Sequence, residues 1–322
     1  DTARQIPHEG VIPYHLTTPH FADHATLHRF IRVQPGKVVV YREAGDLEYP
    51  AGTELILTVA YPHDLRDPGR GEHLVETRLL IRRDDGWESV QYVWNSAGTD
   101  ARLSVVGGTR SVSWIDEGGA RQTHRVRMPN RNECNQCHEI AGVVTPLGPV
   151  HAGYLNRTHT DDGESMNQLV HWTLRGMLRG APEDPVHAPR RATWNDPSTG
   201  SVEERARAYL DMNCSACHRP GGLGYTSGLD LRYQQRTPIR YGVLKAPVAA
   251  GRGVGTARYS IVPGRPDQSM LLHRMRATDP GIRMPPVGRS RVHEEGIALV
   301  QRWIAQMQPP EPDRTPGSTD HE

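Results

Sequence analysis

Long apolar runs are missing from this 322-residue chain. The best of them, residues 55–61, has the length of a strand and falls far short of the roughly 18 residues of a membrane helix. No transmembrane segment is therefore expected. An excess of charge is missing too. Lys and Arg number 38 against 37 Asp and Glu, a formal net charge of +1, which is too little to attract a polyanion, so nucleic acid drops out as a partner. Lysine is confined to Lys37 and Lys245, and nothing functional follows from that. No signal peptide opens the sequence; if the protein is exported, Asp1 lies at or after a cleavage point. Cysteine is scarce, four residues in all, and none of them is spare.

What is there can fold. Apolar residues make up 36% and charged residues 23%, enough for more than one core and too apolar for wholesale disorder. The length suggests two or three domains. Gly 32 and Pro 26 together make about 18% of the chain, above the average of about 12%, so many loops are expected.

The four cysteines fall in two identical patterns, Cys134-Asn-Gln-Cys137-His138 and Cys214-Ser-Ala-Cys217-His218. Cys-x-x-Cys-His is the attachment motif of c-type haem: each thiol adds to a porphyrin vinyl group, and the adjacent histidine is delivered to the iron. A redox-active thiol pair and a four-cysteine zinc site are the competing uses, and two complete motifs with no cysteine left over favour haem. Two haem c groups are expected, with Cys134, Cys137, Cys214 and Cys217 as covalent anchors and His138 and His218 as proximal iron ligands. Because haem attachment occurs outside the cytoplasm, the chain is expected in the periplasm or beyond the cell.

Residues 1–128 read as an antiparallel β-sandwich or barrel-like domain for docking or assembly. Short β-branched and aromatic runs recur from residue 27, separated by Pro35-Gly36, Asp84-Asp85-Gly86, Gly107-Gly108 and Gly118-Gly119. His8, His15, His20, His24 and His28 crowd its start without a recognised ligand motif, which favours surface and packing roles over a metal site. Two mostly α-helical c-type cytochrome domains are expected to follow. The first, with a linker, covers 129–196, and the second, a small cytochrome, covers 197–309; 310–322 is a polar, proline-rich tail expected to be disordered. Asn130 is a candidate N-cap for the first haem helix, Ser201-Val202-Glu203-Glu204 has the form of a capping box, and a helix is expected over 165–179.

Pro149, in Thr145-Pro146-Leu147-Gly148-Pro149, is assigned a supporting role: its carbonyl would accept the hydrogen bond of the His138 ring nitrogen turned away from the iron. Met284, on a Met-Pro loop before the C-terminal helix, is the expected distal ligand of the second haem; Met275 and Met270 are better used in packing. The first haem's distal ligand stays open among Met166, His159, His171, Met177, His151, a histidine from the β-domain, or none.

The run 134–156, then Asn167-Gln168-Leu169, Ala208-Tyr209-Leu210, Pro220-Gly221-Gly222, Ile261-Val262-Pro263-Gly264 and Met284-Pro285 resembles a family of bacterial dihaem c-type cytochromes with an N-terminal β-domain. The likeness extends into that domain through Val11-Ile12-Pro13-Tyr14 and Glu76-Thr77-Arg78-Leu79-Leu80. It implies this architecture and two covalent haems. Similar proteins are often associated with a parallel β-helix protein, which makes such a protein a candidate partner. The leading expectation is an electron carrier or relay between redox partner proteins. The alternatives are a dihaem peroxidase or oxidase with an open first haem, and a haem subunit of a larger assembly or homo-oligomeric haem chain. Dihaem peroxidases are similar in length, but their motifs lie farther apart and they lack a β-domain of this kind.

Overall fold

Alternation of apolar and polar residues lets a strand bury one face and wet the other, and the first third of the chain is built this way. A computed structural model describes residues 1, 4–161, 163–248 and 250–309; the expected tail lies outside these. In chain order it begins with β1 (Val11–Pro13), β2 (Thr26–Arg32), β3 (Val39–Tyr41), β4 (Leu47–Glu48), β5 (Glu54–Pro62), β6 (Glu72–Arg83), β7 (Gly86–Trp94) and β8 (Ala101–Leu103). Six of these make one sheet in the order β1-β2-β5-β6-β7-β8, each pair antiparallel. The next two, β9 (Gly108–Ile115) and β10 (Arg121–Met128), form a separate ribbon. Its Val112, Trp114, Val126 and Met128 pack on Val59, Tyr61 and Val75 of the sheet. β3 and β4 form a further small sheet with Leu178–Arg179, so the expected sandwich or barrel is instead an open six-stranded sheet, a ribbon packed on it and a three-stranded sheet shared with the region beyond 128.

The two mostly α-helical cytochrome domains are not found. Strands and helices each take about a quarter of the described residues, helix 24% with its 3-10 turns included, and loops take most of the rest. The described residues hold five α-helices: α1 (Arg131–His138), α2 (Gln168–Leu174), α3 (Val202–Cys214), α4 (Met270–Arg276) and α5 (Glu294–Gln306). The helix expected over 165–179 shrinks to α2 for a local reason. Glu164–Asn167 pairs as a strand with Thr158–Asp161, and the Asn167 side chain then accepts the Leu169 N–H, so the helix starts only there. Gly176, at φ 69°, lies just beyond its end. Elsewhere the many glycines and prolines leave loops and single 3-10 turns.

Two further cores organise the rest of the fold. The first crosses the expected boundary at 128: Ile12, Tyr14, Ile31 and Leu55 of the β-region share it with Tyr154, Leu155, Leu169 and Trp172. The second lies between α3 and α5, where Tyr209, Leu210, Ile297, Val300, Trp303 and Ile304 meet. Their crossing depends on Gly296, since a Cβ there would lie 2.5 Å from the Tyr209 ring.

Candidate functional site

Both Cys-x-x-Cys-His motifs face a single cavity of about 770 Å³, within the range of built ligand sites. Cys134, Cys137, His138, Cys214, Cys217, His218, Pro149 and Met284 all line it. The motifs are brought there by capped helices. Asn130 and Glu133 close a reciprocal capping box on α1, which carries the first motif; Ser201 and Glu204 do the same on α3, whose last residue is Cys214.

The motifs touch. The Cys217 Sγ donates to the carbonyl of Gln136 at 3.3 Å, and the Cys137 and Cys217 thiols interact directly. That interaction, followed by burial, pushes the Cys137 thiol up, while Cys217 is lowered by accepting from it. Cys214 is pushed up to about 12, chiefly by burial. These sulfurs stand in for the thioether sulfurs of attached haem.

Each proximal histidine is oriented through Nδ1. The His138 Nδ1 bonds to the Thr145 carbonyl at 2.9 Å, and that of His218 to Ser227 Oγ at 3.0 Å. Neither Nε2 has a hydrogen-bond partner among the described residues. An Nδ1–H donor leaves the Nε2 lone pair for a metal. Burial lowers His138, and burial followed by the Arg274 charge brings His218 to about 4, so both rings are neutral near pH 7. A side chain at Gly224 would lie 3.0 Å from the His218 ring, so only glycine leaves that ring in place.

The bond expected from His138 to Pro149 is made to Thr145 instead. A tight hairpin, Glu139–Ile140 against Val143–Val144, returns the chain beside the histidine, and the Thr145 N–H also donates to the His138 carbonyl at 2.7 Å. The Pro149 carbonyl accepts from the Tyr49 hydroxyl.

Met284 is fixed at its backbone. Its N–H donates to the Arg274 carbonyl at 3.0 Å, and its carbonyl accepts from Arg289 at 2.8 Å. The buried Arg289 guanidinium also reaches the carbonyls of Arg274, Met275, Ala277 and Arg291, gathering the loop around one cation. Met275 and Met270 also line the cavity, and both are buried.

None of the five donors named for the first haem lines the cavity. His151 accepts from the Gly153 N–H at 2.9 Å, and His171 is bonded to Arg175 at 2.5 Å. His159 stacks between His15 and His171, Met166 lies in the 158–167 hairpin, and Met177 packs on the first core. Two further cavity histidines carried no individual signal: His293, and His20, which stood only within the histidine-rich start of the β-domain. Burial, then Arg29, Arg78 and His138, lower His20 to about 3.

Arg29 and Arg78 also line the cavity. Arg78 is paired with the buried Glu76, yet among the described residues its Nε has no hydrogen-bond partner, nor has Arg29 Nη2. Unpaired buried donors are costly and point to an absent acceptor. The propionate carboxylates of haem are such acceptors, so the donor set fits: thiols on the wall, two oriented imidazoles and two unsatisfied guanidinium donors.

A four-cysteine zinc site fits less well. Among the described residues no three His, Cys, Asp or Glu side chains converge as metal ligands, whereas a haem iron takes only one or two ligands from the protein. No described helix is long and apolar enough to cross a membrane. No family model, curated protein or solved structure matches the chain.

Proposed function

We propose that the chain is an exported dihaem c-type cytochrome, working as an electron carrier or relay in the periplasm or outside the cell. The observation that carries this reading is the direct contact of the two attachment motifs in one cavity. Two prosthetic groups tethered at touching sulfurs are held close enough to exchange electrons without a partner between them. Haem c, when bound, supplies one-electron chemistry at iron.

The chain's own residues bind and orient. Cys134, Cys137, Cys214 and Cys217 would provide the covalent tethers, and His138 and His218, oriented through Nδ1 bonds to Thr145 and Ser227, would offer Nε2 to the iron. Met284, on the Arg289-bound loop, would be the distal ligand of the second haem, where a thioether favours the reduced state. Arg29 and Arg78 would bind the propionates. The β-region supplies a docking surface for redox partner proteins, a β-helix protein or further copies of the chain.

One observation favours a second reading, a dihaem peroxidase. His20, Arg78 and the buried Glu76 stand together on the cavity wall, a set able to move protons beside an open iron. The first test is common to both: protein made in a host that attaches haem c should carry two haems that survive acid-acetone extraction. One haem, or extractable haem, refutes the proposal.

A further inference from the structure

Building on the dihaem reading, we propose that His20 is the second axial ligand of the haem attached at Cys134 and Cys137, completing with His138 a bis-histidine iron site. Four histidines line the cavity among its described residues: His20, His138, His218 and His293. Two belong to the attachment motifs. His293 is engaged, with Nδ1 bonded to the Tyr209 hydroxyl at 3.0 Å, Nε2 3.7 Å from Glu295, and its ring stacked on Phe21 at 4.1 Å. His20 has no hydrogen bond at either ring nitrogen among the described residues. Its neighbours place it with the first motif: His138 and Arg78 both act on it electrostatically, and Arg78 acts likewise on Cys134, Cys137 and His138.

The segment around His20 is pinned on both sides, as a ligand of fixed geometry requires. The buried Thr18 donates to the Ala192 carbonyl at 2.7 Å and accepts from the Trp194 N–H at 3.0 Å. The Phe21 N–H donates to Asn213 Oδ1 at 2.8 Å, one residue before Cys214. These bonds fasten the segment around His20 to residues 192–194 and to the end of α3 beside Cys214, on the wall of the cavity that both motifs line. Iron with two imidazoles has a lower potential than iron with His and Met, so the first haem is the weaker oxidant of the two.

The test uses the full chain with both haems attached. The ferric wild type should show two low-spin haems by EPR, and the reduced protein should bind no carbon monoxide. In His20→Ala one of the two haems becomes high-spin and the reduced chain binds one carbon monoxide; added imidazole restores the low-spin state. His293→Ala leaves both signals unchanged. Should His20→Ala fail to fold, His20→Met should retain two low-spin haems and raise the potential of one. Two low-spin signals and no carbon monoxide binding in His20→Ala, or unchanged potentials in His20→Met, overturn the ligand assignment and leave the dihaem reading intact. A wild type with one high-spin haem, whose peroxide turnover disappears in His20→Ala, also overturns it and makes His20 a proton-transfer group. A chain carrying no covalent haem overturns both.

Discussion

Asp23 joins two parts of the chain that are 267 residues apart, and replacing it by asparagine measures the strength of that joint. Its carboxylate accepts the Ser290 N–H at 2.8 Å, the Ser290 hydroxyl at 2.7 Å, the Arg291 N–H at 2.8 Å and His124 Nε2 at 3.1 Å. Asparagine keeps one acceptor and turns an amide N–H₂ toward backbone donors. Hydrogen bonds to a charged acceptor contribute about 1.5–3 kcal/mol and neutral ones about 0.5–1.5 kcal/mol, with a further 1–3 kcal/mol for an orphaned donor. Two backbone bonds each weakened by about 1–1.5 kcal/mol and one orphan come to about 3–6 kcal/mol, or roughly 6–24 °C in Tm for a cooperative unit of 150–250 residues. Urea midpoints of wild type and Asp23→Asn, read by far-ultraviolet circular dichroism, give the difference. Its pH dependence checks the cause. Burial alone would raise the Asp23 carboxyl, but bonds from His124, Ser290 and Arg291 outweigh it and hold the group below its ordinary 3.8. A carboxylate depressed on folding stabilises fully above its unfolded value and loses that contribution as pH falls through the folded value. The gap between the two proteins should therefore be constant from neutral pH to about pH 5 and narrow below about pH 4. A gap under about 1 kcal/mol at neutral pH, or one that does not narrow in acid, refutes this account of the joint.

Met284→Ala should abolish the weak far-red band of ferric iron–thioether ligation and lower the potential of one haem only; if Met275→Ala removes the band instead, the wrong sulfur has been chosen. Gly296→Ala should destabilise the chain by about 1–3 kcal/mol through overpacking against Tyr209, measured by thermal unfolding, and a neutral result would mean that α3 and α5 can separate freely. The reduced wild type should show no peroxide turnover above that of free haem; stoichiometric carbon monoxide binding at the His138 haem together with donor oxidation by peroxide would favour the enzyme.

The legible parts of the fold are those governed by short sequence separations. The β-branched and aromatic runs fall on β2, β5, β6 and β7, and the caps at Asn130 and Ser201 need only a residue and its third neighbour. The helical cytochrome frame failed where tertiary hydrogen bonds replace helix ladders. Residues 181–200, expected to be a linker, are fastened to the first core: the Asn156 Nδ2 donates to the carbonyls of Pro185, Ala188 and Pro189, and the Arg191 N–H donates to the Gly153 carbonyl at 2.9 Å. A single amide that satisfies three carbonyls some 30 residues away leaves no periodic trace.

The site divides along the same line. Covalent attachment would impose a rigid spacing of Cys, Cys and His, which is why the proposed anchors stand out in the sequence. Axial and supporting partners need only reach an atom, from any point in the chain. The acceptor for His138 is thus decided by which carbonyl the 139–144 hairpin carries past the ring, Thr145 rather than Pro149. The contact between Cys217 and Gln136 joins residues 81 apart, and no spacing rule predicts it. Yet that contact bears on function more directly than either motif alone. Under the dihaem proposal, one motif would specify a haem, whereas two motifs far apart in the chain would specify nothing about transfer between them. Their meeting at one cavity, with Asp23 bonded to Ser290 on its wall, would make electron exchange within the chain depend on how the two halves are packed.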